Sequence, residues 1–307
     1  MAFIDFSGLP DSGNFALGVA ELFDARVCLL GEAPIWIARD DAVWWLDILN
    51  SCAHWKNIGH AISGTIQFPY QVSALLPTQV GEWLVFAEDT IDRYGREFTH
   101  LTNLARWPHA QKQNPALRRW RSNDAAVAPD GAVICGTMPV DPEELPNSAS
   151  LYRLDSRGLE EIADGVTISN GLGWSMDGTK MFYVDTPTRR IDVFDVNETG
   201  LPTNRRPFIE IPTEWGVPDG LAVDTEDHIW VALWGGARVQ RFSPRGQAAG
   251  FVEVPCDQVT SCCFAGPEMK KLVITTAAVD CEGDAAAGLT YVFDATVSGQ
   301  ICTEAVL

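Results

Sequence analysis

Positive charge is scarce in this chain. Its 307 residues carry 22 Lys plus Arg against 41 Asp plus Glu, a formal net charge of −19. A nucleic-acid binder needs a basic footprint to meet the phosphate backbone, and a polybasic anchor needs one to meet anionic lipid, so the balance argues against both. No run of about 18 apolar residues is present, which leaves nothing to span a membrane as a helix. The opening MAFIDFSGLPDSGNFALG has no positive leader and no continuous apolar stretch, so no signal peptide is expected. None of the eight cysteines (28, 52, 135, 256, 262, 263, 281 and 302) stands in a CxxC pair, which weakens zinc and thioredoxin-type readings. Cys28 and Cys135 sit in apolar runs, where a reduced thiol acts as a small core residue. The expected setting is a reducing, cytoplasmic one. Several catalytic signatures are missing too: no GxSxG elbow, no HExxH and no P-loop. The five His form no spaced pair and are expected to be surface or structural; vicinal Cys262 and Cys263 are expected to pack in a strand rather than to carry redox chemistry.

What the chain does have is a repeated phrase. A polar residue is followed four positions later by an apolar or aromatic one: EAPIW at Glu32, NDAAV at Asn123, NGLGW at Asn170 and DGLAV at Asp219. Two weaker copies are QVSAL at Gln71 and TSCCF at Thr260, so the steps are 39, 52, 47, 49 and 41 residues. After each phrase come a turn and a short apolar run, such as AVWWLDIL, KMFYVDT or HIWVALW. A third run often follows, as in SLYRLDSRG and RVQRFSPRG. Short strands between Asp- and Gly-rich turns are an all-β pattern, and no helical periodicity is sustained. Six units of about four strands predict an all-β, six-bladed β-propeller over residues 1–307, with 1–20 as a lead segment that can supply an outer strand to the last blade.

In such a fold the innermost strand of each blade lines the central channel, so the leading residues converge at one mouth. All six leaders carry a side-chain oxygen, which suits a hard or borderline divalent cation, although Asn and Asp also open strands by satisfying loose backbone groups. The loops after each second strand share that face, among them residues 139–149 and 277–288. The connection over 102–121 enters the same face and brings Arg121 within reach of the mouth; Arg118 and Arg119 read as a solvated basic loop.

LLGEAPIW, RSNDAAVAPDG with GTM, ISNGLGWSMDG with FYVDT, VPDGLAVDTEDHIWVALWGG and TSCCFAG together resemble the gluconolactonase/regucalcin (senescence marker protein) family, in order from about residue 30 to 291. The resemblance implies a propeller with one divalent metal in its channel (Ca, Zn, Mn, Mg or Fe) and hydrolysis of sugar lactones. It implies Glu32, Asn170 and Asp219 as metal ligands, Asp219 also as general base, and Arg121, Asn123 and Asp141 as substrate contacts. Ala33 and Ala125 stand where the family usually has Gly, and Asp141 where it often has Glu. These departures bear on the local backbone and on substrate identity rather than on the ligands.

The expected function is therefore metal-dependent hydrolysis of a sugar (aldono) lactone to the aldonic acid by water attack on a polarised carbonyl. The alternatives are a non-catalytic calcium-binding regulatory protein of the regucalcin type, or an organophosphate or ester hydrolase. The expected partner is a small-molecule lactone, with no nucleic acid and no membrane, and a monomer is the default.

Overall fold

The structure is a computed structural model and describes residues 13–112, 119–281 and 283–307. Six sheets, each with four antiparallel strands at its heart, radiate from a central axis. Blade 1 runs outward from Gly31–Ile37 through Ala42–Asp47 and Cys52–Asn57 to Ser63–Gln67. The inner strands of blades 2 to 6 are Val72–Pro77, Trp120–Val127, Ser169–Trp174, Val217–Val223 and Val259–Ala265. All six repeat phrases therefore mark inner strands. The stretch 102–121 is not wholly loop: His100–Arg106 is the outer strand of blade 2 and Pro108–Lys112 a short helix. Arg118 lies outside the described residues.

Burial follows strand position within a blade. Second strands are sandwiched between neighbouring blades, so AVWWLD, WLVFA and MFYVD are buried at nearly every residue and read as continuous apolar runs. Outer strands face water on one side and alternate, as Ser63–Gln67 and Pro202–Glu210 do. Aromatic residues fill the wedges between blades. Trp44 of blade 1 meets Trp83 of blade 2 at 5.1 Å between ring centroids, and Phe98 stacks on Trp83 at 5.3 Å. Trp230 of blade 5 meets Phe264 of blade 6 edge-on at 5.7 Å.

The ring closes through the N-terminal segment. Blade 6 takes its outermost strand, Glu21–Asp24, from the start of the chain, paired antiparallel with Thr290–Asp294. The preceding strand, Gly13–Val19, instead runs parallel to Ala248–Glu253 at the edge of blade 5. The lead segment thus clasps two blades rather than one, and the closing strand falls just after residue 20.

The far end of the channel is crossed by the C-terminal segment. Gln300 Nε2 donates to the Trp174 carbonyl at 2.9 Å, the Ala305 N–H to Pro77 O at 2.9 Å and the Val306 N–H to Gly131 O at 2.8 Å. This strap ties blades 4, 2 and 3 together at the end of the channel away from the leading residues.

Trp83 is 1% exposed between Trp44 and Phe98. Trp83→Ala is expected to cost about 3–5 kcal/mol in urea unfolding, while Leu101→Ala, at a position 49% exposed, stays within about 0.5 kcal/mol. Equal midpoints for the two variants would show that the wedge aromatics do not hold the blades.

Candidate functional site

Every inner strand carries one extra residue at its leading end. In blade 1, Glu32 pairs with Leu46 and Ile35 with Trp44, three steps against two. The same surplus occurs between Ser122 and Ala125, between Asn170 and Leu172, and between Pro218 and Leu221. It recurs in weaker form between Val72 and Ala74 and between Val259 and Ser261. A bulge bends its strand and re-aims the side chains within it. Glu32, Asn123, Asn170 and Asp219 lie at or inside these bulges.

The turn into each bulge is held from behind. Asp47, at the end of blade 1's second strand, accepts the N–H groups of Leu29 and Leu30 at 2.9 and 3.2 Å. Asp185 in blade 4 does the same for Thr167 and Ile168, at 3.2 and 2.9 Å. Each pair of donors stands three and two residues before a leader, so one device sets the approach to Glu32 and to Asn170.

Hydrogen bonds then link the leaders around the axis. Arg121 donates to Asn123 Oδ1 at 2.7 Å and to the Ser122 carbonyl at 2.9 Å. Asn123 Nδ2 donates to Asn170 Oδ1 at 2.8 Å and to Ser169 O at 2.7 Å. Asn170 Nδ2 donates to Thr186 Oγ1 at 2.8 Å, which turns its amide oxygen toward Asn123. Glu32 accepts the Ala33 N–H at 3.1 Å. Ala33 itself lies in left-handed backbone, φ 48°, a conformation that glycine adopts more cheaply. The departure from the family's glycine therefore retains a glycine-like backbone with a methyl group added; Ala125 shows no such φ.

Three carboxylates meet here. Burial, then the charge of Asp124, pushes Glu32 up to about 8, against the pull of the Ala33 N–H and Arg121. Burial, then Glu32 and Asp124, holds Asp219 well above the usual carboxylate range. Burial raises Asp124 to about 6. The Arg121 guanidinium is drawn down to about 10 by burial, offset by Glu32, Glu88 and Asp219, so it keeps its charge at neutral pH. Asp219 Oδ1 is buried and has no hydrogen-bond partner among the described residues. An orphaned, buried carboxylate oxygen under the charge of a second acid is a chemistry that fits a divalent cation of the hard or borderline kind. Cationic charge would remove the repulsion that now favours protonation.

Not every expected residue joins the cluster. Asp141 is exposed, and its carboxylate caps its own turn by accepting the N–H groups of Glu143 and Glu144 at 3.2 and 3.1 Å. Thr260 is fully buried, donates to Gly31 O and accepts from the Thr275 hydroxyl, so this leader stitches blade 6 to blade 1 instead of facing the axis. Gln71 stands just before its strand and is half-buried. Sequence reasoning passed over Asp124. The signal was available: it is the one charged residue directly following any of the six leaders, the others being Ala33, Val72, Gly171, Gly220 and Ser261. Past the carboxylates the channel widens into a cavity of about 210 Å³, lined by Asp124, Trp36, Trp174, Phe264 and Cys263 and closed by Gln300–Thr303.

The raised carboxylates have a sign-defined consequence for stability without metal. Glu32 titrates near 4.5 unfolded and near 8 folded, so between those values the folded chain holds the extra proton. Stability must then fall as pH rises from about 5 to about 8. Metal-stripped protein should melt lower at pH 8 than at pH 5.5, and a bound divalent cation should flatten that slope. A melting temperature that rises over the same window in stripped protein would contradict the assignment.

Comparison with known proteins agrees with this architecture. The chain is 31% identical to regucalcin of Danio rerio over 266 residues, covering 84% of this chain and 86% of that protein. It is 31% identical to the pentonolactonase XacC of Haloferax volcanii over 271 residues, 85% and 86% of the two chains. Among solved structures, a regucalcin from Agrobacterium tumefaciens described as a calcium-binding protein superposes with a TM-score of 0.88 at 26% identity, over 95% of this chain and 99% of that one. The family profile described as SMP-30/Gluconolactonase/LRE-like region matches residues 30–278, from just before Glu32 to just past blade 6's second strand. The chain belongs to the SMP-30/gluconolactonase/LRE-like family.

Proposed function

We propose that this protein hydrolyses a sugar (aldono) lactone to its aldonic acid at the mouth of the channel where the leading residues gather. The observation that carries the reading is the buried Asp219 Oδ1, unpartnered among the described residues, in a carboxylate that feels the charges of Glu32 and Arg121. The pentonolactonase relative supports the substrate class, and the hydroxylated nature of a sugar suits polar contacts at Arg121 and Asn123.

Glu32, Asn170 and Asp219 would hold one divalent cation. A cation bound there supplies Lewis-acid polarisation of a carbonyl and charge that offsets the carboxylates. Asp219 accepts a proton from the attacking water at its free Oδ1. The water oxygen then bonds to the lactone carbon, the ring C–O bond breaks, and the released ring oxygen takes a proton as the hydroxyl of the aldonic acid. Arg121 stays charged and donates to a substrate hydroxyl or to the oxygen on which negative charge develops. Asn123, fixed by Asn170 and Ser169, sets the direction of the Arg121 fork. Asp141, on the same face, is a further substrate contact once its turn meets the ligand.

pH-stat assays on stripped protein, with glucono-, xylono-, galactono- and arabinonolactone and a panel of divalent cations, test the reading. Turnover should return with at least one cation. Asp219→Asn should lower kcat by about 10²–10⁴-fold, the usual contribution of a general base. Arg121→Met should lower kcat/KM by about 10–100-fold, the loss of a charged hydrogen bond. No turnover with any pair, despite cation binding, would favour a calcium-binding regulatory role, which the regucalcin relatives make the second reading.

A further inference from the structure

A second group of metal-ligating side chains lies away from the channel, at the seam where the ring closes. One ligand atom each from Cys28, Asp47 and His54 lies within 4.8 Å of the others, and all three residues are buried. Cys52 adds a fourth candidate, with its Sγ 3.6 Å from His54 Nε2. We infer that these four side chains form a binding site for a borderline divalent cation of the zinc type, separate from the oxygen-lined site at the channel mouth.

The donors come from three pieces of chain. Cys28 is in the link between blade 6's closing strand, Glu21–Asp24, and blade 1's inner strand, and its backbone is clamped by Gly288 O at 2.9 Å. Asp47 ends blade 1's second strand, while Cys52 and His54 belong to its third. The imidazole is oriented as a ligand's should be. His54 Nδ1 meets Thr65 Oγ1 at 2.8 Å, which leaves Nε2 directed at the Cys52 thiol. Asp47 is held rigidly by the N–H groups of Leu29 and Leu30 and by Asn50, 2.7 Å from its Oδ2.

The chemistry matches a soft-to-borderline ion. Two sulfurs, one imidazole nitrogen and one carboxylate oxygen suit tetrahedral zinc, with bonds of about 2.3 Å to sulfur and about 2.0 Å to nitrogen. Such bonds set ligand atoms about 3.3–3.8 Å apart. The Cys52–His54 separation already meets that; Cys28, Asp47 and His54, now within 4.8 Å of one another, must contract by about an ångström, and Cys52 must close on Cys28 and Asp47 as well. Arg26 supplies balancing charge. It bonds both Asp24 oxygens, at 2.8 and 3.0 Å, and reaches the Gly64 and Trp55 carbonyls of blade 1, tying the same link to the same blade. An ion here would pin the N-terminal link to blade 1 and so secure ring closure, a structural role that the oxygen-lined site cannot perform.

The test uses the full chain, reduced and metal-stripped, titrated anaerobically with cobalt chloride and then with zinc chloride. The expected result is an intense near-ultraviolet thiolate-to-cobalt band with tetrahedral visible bands, bleached by one equivalent of zinc. Asp219→Asn should keep the band, whereas Cys28→Ser and His54→Gln should each lose it while retaining lactone turnover. Zinc should also raise the melting temperature of Asp219→Asn, and should raise it less in the Asp219→Asn/Cys28→Ser double variant, where the channel-mouth contribution is matched. Absence of a thiolate band in the wild type overturns the site, whatever the variants do. A band that survives in folded Cys28→Ser and folded His54→Gln, judged by far-ultraviolet circular dichroism, overturns it as well.

Discussion

Closure of the ring is the constraint from which the other features follow. A blade presents an apolar face to each neighbour, and the second strands are buried on both sides, so an open arc would leave two such faces in water. Antiparallel pairing of Glu21–Asp24 with Thr290–Asp294 removes the gap with a strand from the other end of the chain. Six blades held in a closed ring must bring six inner strands to one axis. Whatever stands at the head of those strands is then crowded together, regardless of its charge.

That crowding explains the electrostatics of the mouth. Glu32, Asp124 and Asp219 are far apart in the chain, and nothing local favours their meeting. The inter-blade packing of Trp44, Trp83, Trp230 and Phe264 supplies the free energy that holds like charges close. Protons hold Glu32 and Asp219 neutral in the absence of a cation, and Arg121 offsets part of the remaining charge. Instability concentrated at a rigid rim is what a cation or a polar transition state can exploit.

Much of this was legible before any coordinates. The repeat spacing located all six inner strands, because burial between blades demands continuous apolar second strands, and the Asp/Gly turns mark where they begin. Glu32, Asn123, Asn170 and Asp219 were legible as a group for the same reason: equal repeat positions meet at the axis. Thr260 was misleading, because its hydroxyl is short enough to satisfy Gly31 O and never reaches the channel. Asp141 was placed on the right face, but its carboxylate prefers nearby N–H groups of its own turn. Asp124 was in view and unremarked, since a pattern aligned on the leaders draws no attention to the bulge residue beside one of them.

By itself the sequence determined the number of blades, the order of strands and the face on which the polar leaders gather, because these depend on periodicity and hydrophobic pattern, which are local. Only the tertiary structure decided which leaders share the cluster, that the N-terminal segment clasps blades 5 and 6 together, and that the C-terminal segment closes the far end of the channel. It alone brought Cys28 to Asp47, Cys52 and His54. Each of these outcomes turns on distances between segments remote in the chain, set by how side chains fill the wedges between blades, and no local pattern encodes such distances.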